Sequence, residues 1–137
     1  MQGRADIEDG EDVARMVEVF YQRVYGDALL RPVFADVAQL NLDDHLPKMT
    51  LFWRNVLFGE SGYRGDPMMA HRLLDEKVRL TDAHYERWLS LFDATVNDLF
   101  FGPRAERAKE AAVRISGAIA FNLERLRGKK DRGMQLL

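Results

Sequence analysis

The chain has 137 residues, of which 47% are hydrophobic and 31% are charged, with a formal net charge of -2 at pH 7. This length and composition predict one globular domain over residues 1–137 and exclude an intrinsically disordered chain. The absence of cysteine excludes disulfide scaffolds, thiolate nucleophiles and cysteine-ligated zinc or iron–sulfur sites.

Charge and hydropathy also limit the expected partners and location. The chain lacks the excess of Lys and Arg that attracts nucleic acid or an anionic membrane, so we expect neither partner. It contains no long apolar run and no signal-peptide pattern, and a cytoplasmic location is therefore expected. No exposed apolar patch stands out, so we expect a monomer.

The first third of the chain predicts one long helix and one short one. Apolar side chains recur at helical spacing over residues 13–24, and Gly26 supplies a stop. Residues 1–9 are polar and acidic, so we expect them to be flexible. Residues 29–37 predict one or two turns of helix, with Pro32 in the first turn.

The middle of the chain predicts a second firm helix and a short apolar segment. The helix is expected to begin at Asp43 or Asp44, to hold Pro47 in its first turn and to end at Gly59. A loop rich in Gly and polar residues follows. The apolar segment 67–74 comes next, ahead of a charged stretch.

The C-terminal part predicts two long helices. Thr81 is expected to cap the first, which ends at Gly102-Pro103. The last helix is expected to start at about Pro103, to run to about Arg127 and to end at Gly128. Residues 129–137 are then expected to form a flexible tail. No segment alternates with period two over a strand-like length, so the predicted fold is all-α.

The common nucleotide-binding, hydrolase, zinc-protease and EF-hand motifs are missing from the sequence. Polar aromatic residues stand out instead: Tyr21, Trp53 and Trp88 lie on apolar helix faces, where a hydroxyl or indole N–H needs a partner. His45 and His71 also lie beside apolar neighbours. Each residue alone is typical of an ordinary core. Together they provide what a haem pocket needs, namely apolar walls, one iron ligand and hydrogen-bond donors opposite it.

Three neighbouring segments resemble the stretch that leads to the proximal histidine of group III truncated haemoglobins. They read FWRNVL over 52–57, YRG over 63–65 and PMMAH over 67–71. The Phe20-Tyr21 pair, His45 seven residues before Phe52, and the block RWLSLF over 87–92 are similar to that family as well. The resemblance spans about residues 13–125. It implies a truncated globin fold, a two-over-two helical sandwich around a non-covalently bound haem b.

The resemblance also implies roles for individual residues. His71 matches the proximal iron ligand, and Tyr21, His45 and Trp88 match the distal side, where a gas ligand sits. An axial imidazole must be neutral and oriented, which His71 achieves if its other ring nitrogen donates to a nearby backbone carbonyl.

Several more residues are candidates for contact with haem. The apolar walls are expected to include Phe20, Met49, Phe52, Trp53, Met68, Leu80 and Phe92. Tyr63, Arg72 and Lys77 are available to contact the haem propionates.

The distal donors point to a mechanism. Oxygen on ferrous haem gains negative charge, to which the Tyr21 hydroxyl and the Trp88 indole N–H can donate. Hydrogen bonds to charged groups are worth about 1.5 to 3 kcal/mol, so each donor is expected to slow oxygen release by roughly 10- to 100-fold.

Three classes of function fit this pattern. The first is a haem protein that binds O2 and other diatomic gases, CO and NO, reversibly. The second is a haem enzyme that acts on the bound ligand, a nitric oxide dioxygenase or a peroxidase. It would need an external reductase, because the sequence carries no flavin or nicotinamide module. The third is a helical interaction module without a cofactor, in which His71 and Tyr21 are only core residues.

Overall fold

The protein folds into five α-helices and one short π-helical turn in a computed structural model that describes residues 3–135, with side chains described up to Gly128. The helices are α1 (Gly10–Tyr25), α2 (Leu42–Phe58), α3 (Pro67–Lys77), α4 (Asp82–Leu99) and α5 (Pro103–Gln135), and the π-helical turn is Pro32–Val37. No strand occurs between residues 3 and 135, which confirms the all-α prediction.

The four long helices form two layers. α1 packs against α2, and α4 packs against α5; between these layers α1 contacts α4 and α2 contacts α5. This is the two-over-two arrangement that the resemblance implies, and it is confirmed. The short helix α3 packs chiefly against α5, so it lies beside the layered pairs. Among the described helices, none combines the length and the apolar character needed to cross a membrane.

Two groups of buried side chains make up the core. The larger group comes mainly from α1, α2, α4 and α5 and includes Phe20, Tyr21, Trp53 and Phe92. The smaller group consists of Val33, Leu80, Ile119 and Leu123, with Met68, Leu74 and Tyr85 packed against it. Partly buried Phe34 and Ile115 contact both groups. The smaller group therefore lies where α3, α5 and the π-helical turn meet.

The start of α2 differs from the prediction. Asn41 is the capping residue, because its side chain accepts the N–H of Asp43 at 2.9 Å. The helix consequently begins at Leu42, and Pro47 falls in the second turn. Proline has no N–H, so the carbonyl of Asp43, four residues earlier, loses its helical donor. The end at Gly59, which adopts the left-handed conformation with φ 69°, is as predicted.

Two residues of the N-terminal segment contact the helices. The carboxylate of Asp6 accepts the backbone N–H groups of Arg104 and Ala105 at 2.9 and 2.8 Å, which places it at the first turn of α5. Ile7 is fully buried. Asp6 and Ile7 are therefore packed against the helices, whereas the predicted flexibility of residues 1–9 as a segment stays a prediction. Residues 1–2 lie outside the described part of the chain.

The later helices agree with the prediction except at their ends. Thr81 caps α4 as expected, and its N–H donates to Nδ1 of His84 at 2.9 Å.

Two helices extend further than predicted. α3 continues to Lys77, beyond the apolar segment 67–74. α5 continues to Gln135 instead of ending at Gly128, whereas the predicted flexibility of residues 129–137 stays a prediction. A glycine inside a helix costs only about 1 kcal/mol and need not end it. Residues 136–137 are outside the description.

Candidate haem pocket

Tyr21 and His45, both predicted distal residues, are in contact. Tyr21 lies on the buried face of α1 with 6% of its surface exposed, and His45 lies in the first turns of α2. The hydroxyl of Tyr21 is 3.0 Å from Nε2 of His45, and the rings meet edge-on at 4.9 Å between centroids. The packing of α1 on α2 thus joins two residues that are 24 positions apart.

The surroundings of this pair fix its charge at neutral pH. Burial, assisted by Tyr25, raises the pKa of the Tyr21 hydroxyl well above its usual value. Burial also lowers the pKa of His45, and electrostatic interactions with Lys48 and His71 act in the same direction. Tyr21 therefore keeps its proton and His45 is neutral. Because a neutral imidazole has one donor and one acceptor nitrogen, either Tyr21 donates to Nε2, or Nε2–H donates to Tyr21.

His71 lies on α3 with one ring nitrogen already engaged. Its Nδ1 donates to the carbonyl of Pro67 at 2.7 Å, one helical turn earlier. This is the kind of hydrogen bond that the sequence analysis required of an axial ligand. With Nδ1 engaged in this way, the lone pair of Nε2 points away from the backbone. None of the described side chains forms a hydrogen bond with Nε2.

The apolar side chains of α3 are poorly covered by protein. No residue of α3 is fully buried; Met69 is 45% and Leu73 is 52% exposed. His71 is also one of the groups that lower the pKa of His45. A histidine whose Nε2 makes no hydrogen bond with the described side chains, on a helix whose apolar side chains are half-covered, fits the iron ligand of a haem group.

Trp88 belongs to an aromatic stack that continues to Tyr21. Its ring lies parallel to Phe92 at 5.6 Å and edge-on to Phe20 at 5.3 Å, while Trp53 stacks on Phe92 at 4.8 Å. Phe20 meets Tyr21 at 5.1 Å. The structure thus brings together five predicted residues, and packing fixes the orientation of the half-buried Trp88 indole.

The other predicted wall residues divide between the two core groups. Met49 and Phe52 are partly buried against the larger group. Met68 and Leu80 belong to the smaller group, on the side of α3 and α5. The candidate wall residues therefore come from both core groups.

The residues named as candidates for the propionates have different surroundings. The ring of Tyr63 lies edge-on against Phe52 at 5.2 Å. Arg72 and Lys77 are exposed. None of the contacts described assigns one of them to a propionate, so this role stays a prediction.

Sequence reasoning missed a polar cluster at the end of α3. Arg127 on α5 donates to both carboxylate oxygens of Asp75 and to the carbonyl of Leu80. Asp75 and Arg127 are 52 positions apart, so the sequence gives no local sign of their contact. The one available signal is that Asp75 stands one helical turn after His71.

Comparison with known proteins agrees with this architecture. A family model described as bacterial-like globin matches residues 6–117. The group 3 truncated haemoglobin of Campylobacter jejuni is 30% identical over 93 residues, which cover 66% of this chain and 71% of that protein. The crystal structure of a group III truncated haemoglobin from Campylobacter jejuni shares the fold, with a TM-score of 0.78 at 24% identity. That match covers 88% of this chain and 95% of that one. The chain therefore belongs to the bacterial-like globin family, its resemblance to group III truncated haemoglobins is confirmed, and this membership implies a haem cofactor.

Proposed function

We propose that the protein binds O2, and other diatomic gases such as CO and NO, reversibly on a haem b that His71 holds without a covalent link. The observation that carries the proposal is the orientation of His71. Its Nδ1–H is donated to the carbonyl of Pro67, so Nε2 presents its lone pair to a metal. Such a hydrogen bond fixes the ring and raises the basicity of the ligating nitrogen.

The haem, when bound, supplies a ferrous iron with an open coordination position for a diatomic gas. The protein supplies hydrogen-bond donors on the other side. When His45 donates from Nε2 to the oxygen of Tyr21, the hydroxyl proton of Tyr21 is free to point at a ligand. Hydrogen bonds in such a chain polarise and strengthen one another.

Trp88 is the second proposed donor. Its indole is held between the edge of Phe20 and the face of Phe92, so its N–H direction is set by packing. Two donors directed at a ligand that gains negative charge favour slow release. This fits sequestration of oxygen better than its delivery along a gradient.

A second candidate function is chemistry on the bound ligand, either oxidation of nitric oxide or activation of peroxide. One observation favours it: His45 is neutral and hydrogen-bonded to Tyr21, so the pair can accept and return a proton near the ligand. Turnover would require an external reductase. Donor-dependent consumption of nitric oxide or peroxide would separate this candidate from simple gas binding.

The distal part of the proposal is tested by Tyr21→Phe, which removes the hydroxyl and keeps the ring. We expect the variant to keep its haem and to release oxygen at least several-fold and up to about 100-fold faster, because one hydrogen bond to a charged group is lost. Stopped-flow displacement of oxygen by CO measures this rate. Trp88→Phe is expected to act in the same direction with a smaller effect, because its indole also packs.

Tyr25→Phe is the matched control. Tyr25 lies on the same helix, but its hydroxyl donates to the carbonyl of Leu40 at 3.1 Å. Oxygen release from this variant is expected to resemble that of the wild type. An oxygen dissociation rate in Tyr21→Phe equal to that of the wild type would show that Tyr21 does not stabilise the ligand.

A further inference from the structure

Arg127 ties three segments of the protein together near His71. Its guanidinium donates to Oδ2 of Asp75 at 2.9 Å, to Oδ1 of the same carboxylate, and to the carbonyl of Leu80 at 2.9 Å. Asp75 also accepts the N–H of Leu80 at 2.9 Å. The end of α3, the connection to α4 and the helix α5 are thus joined by one closed network.

This ion pair is better shielded from water than the other ion pairs of the described side chains. The side chains of Asp75 and Arg127 are 11% and 23% exposed, whereas those of Arg54 and Glu60, also joined in a two-pronged pair, are 37% and 41% exposed. Burial alone would raise the pKa of Asp75, but the hydrogen bonds from Arg127 and Leu80 outweigh it and lower the pKa. The carboxylate is therefore charged at neutral pH. Shielded two-pronged pairs are stronger and more directional than exposed ones.

The position of Asp75 links this network to the candidate iron ligand. Residues four apart in a helix lie on the same side, one turn from each other. Asp75 therefore lies one turn after His71 on the same side of α3. α3 packs chiefly against α5 and has no fully buried residue. Few contacts therefore fix α3 in place, and the network through Arg127 is the most directional of them.

We propose that Asp75 and Arg127 are positioning residues for His71: their ion pair fixes α3 on α5 and thereby sets the distance and angle at which Nε2 of His71 meets the haem iron. The inference rests on the proposed binding of haem by His71. It assigns no contact with haem to either residue. Without the pair, α3 can shift on the smaller core group, and the bond between histidine and iron is held less uniformly.

The experiment uses the haem-loaded protein and the variants Arg127→Gln, Asp75→Asn and Arg127→Lys. The first readout is the iron–histidine stretching band in the resonance Raman spectrum of the ferrous, ligand-free form. The second is the rate at which haem passes to an excess of apomyoglobin. We expect Arg127→Gln and Asp75→Asn to broaden and shift the band and to speed haem loss about tenfold, because a charge-assisted hydrogen bond is lost.

Arg127→Lys keeps the charge but not the two-pronged geometry, so its effects are expected to be intermediate. The double variant Arg127→Gln/Asp75→Asn is expected to resemble the single variants, because both remove the same interaction. Arg54→Gln is the matched control, since it breaks the two-pronged pair of Arg54 with Glu60 away from α3. It is expected to leave the band and the haem-loss rate unchanged.

Two results would overturn the inference. One is an unchanged Raman band together with haem loss within twofold of the wild type in both single variants. The other is an equal change in Arg54→Gln, which would show a general loss of stability. Thermal unfolding of every variant identifies any that fails to fold, and Arg127→Lys then carries the test. A wild type without an iron–histidine band would instead refute the proposed function itself.

Discussion

The surroundings of the His45 side chain determine its charge at a given pH. Its imidazole is partly buried beside Tyr21, and burial, Lys48 and His71 together lower its pKa below the ordinary value of 6.5. Protonation would place a positive charge in a poorly solvated position near the ammonium group of Lys48. The hydrogen bond with Tyr21 is therefore formed by a neutral imidazole at physiological pH.

This lowered pKa predicts a pH dependence of stability. Between the folded pKa of His45 and the unfolded value of about 6.5, the unfolded chain binds more protons than the folded one. The contribution of His45 is thus fully present above pH 6.5 and is lost as the pH falls through the folded pKa. We expect His45→Gln to lose less stability than the wild type between pH 7.5 and pH 5.5, as measured by urea unfolding. Parallel losses in the two proteins would contradict the lowered pKa.

Sequence reasoning identified the chemistry of these residues but not their contacts. Residue type and the family resemblance singled out Tyr21, His45 and His71, and the need for a carbonyl partner predicted the kind of bond that Nδ1 of His71 makes with Pro67. The contact between Tyr21 and His45 depends on how α1 and α2 pack, which no local pattern encodes. Whether His71 ligates iron stays a prediction.

Helix ends dominate the differences at the scale of elements. The bodies of α1, α2 and α4 follow from apolar spacing and strong stop signals. The predicted start of α2, at Asp43 or Asp44, is too late because Asn41 caps the helix, which therefore begins at Leu42. The start of α5 is stabilised by Asp6, which lies 98 positions away from Arg104. Such a distant cap is invisible to any local reading of the sequence.

The cap that Asp6 forms at the start of α5 can be tested by mutation. Its carboxylate accepts the N–H groups of Arg104 and Ala105, and Gly102 adopts a φ of 153° where an added Cβ would meet Asp6 at 2.5 Å. We expect Asp6→Ala to lower the free energy of unfolding by about 1 to 2 kcal/mol, since a helix cap is lost. Urea unfolding measures this change in the free energy of unfolding. Asp6→Asn, which keeps an acceptor oxygen, should lose less; an unchanged Asp6→Ala would refute the role of the cap.

At the scale of the whole molecule, α3 stands apart from the two layers. Helices α1 and α2 pack over α4 and α5, whereas α3 contacts chiefly α5 and leaves apolar side chains such as Leu73 half-exposed. Composition and periodicity predicted a helical protein but could not predict this topology, since many helical bundles share the same pattern. The family resemblance supplied it.

Whether His71 holds a haem with an open position for a gas is measured by absorption spectra of the purified protein, supplied with hemin if colourless. The spectra are recorded in the ferric, dithionite-reduced and CO-bound forms, beside those of His71→Ala. We expect a sharp Soret band that shifts on reduction and again with CO, and loss of stable haem in His71→Ala. Absence of a Soret band with hemin present, or wild-type spectra from His71→Ala, would show that His71 does not hold a haem.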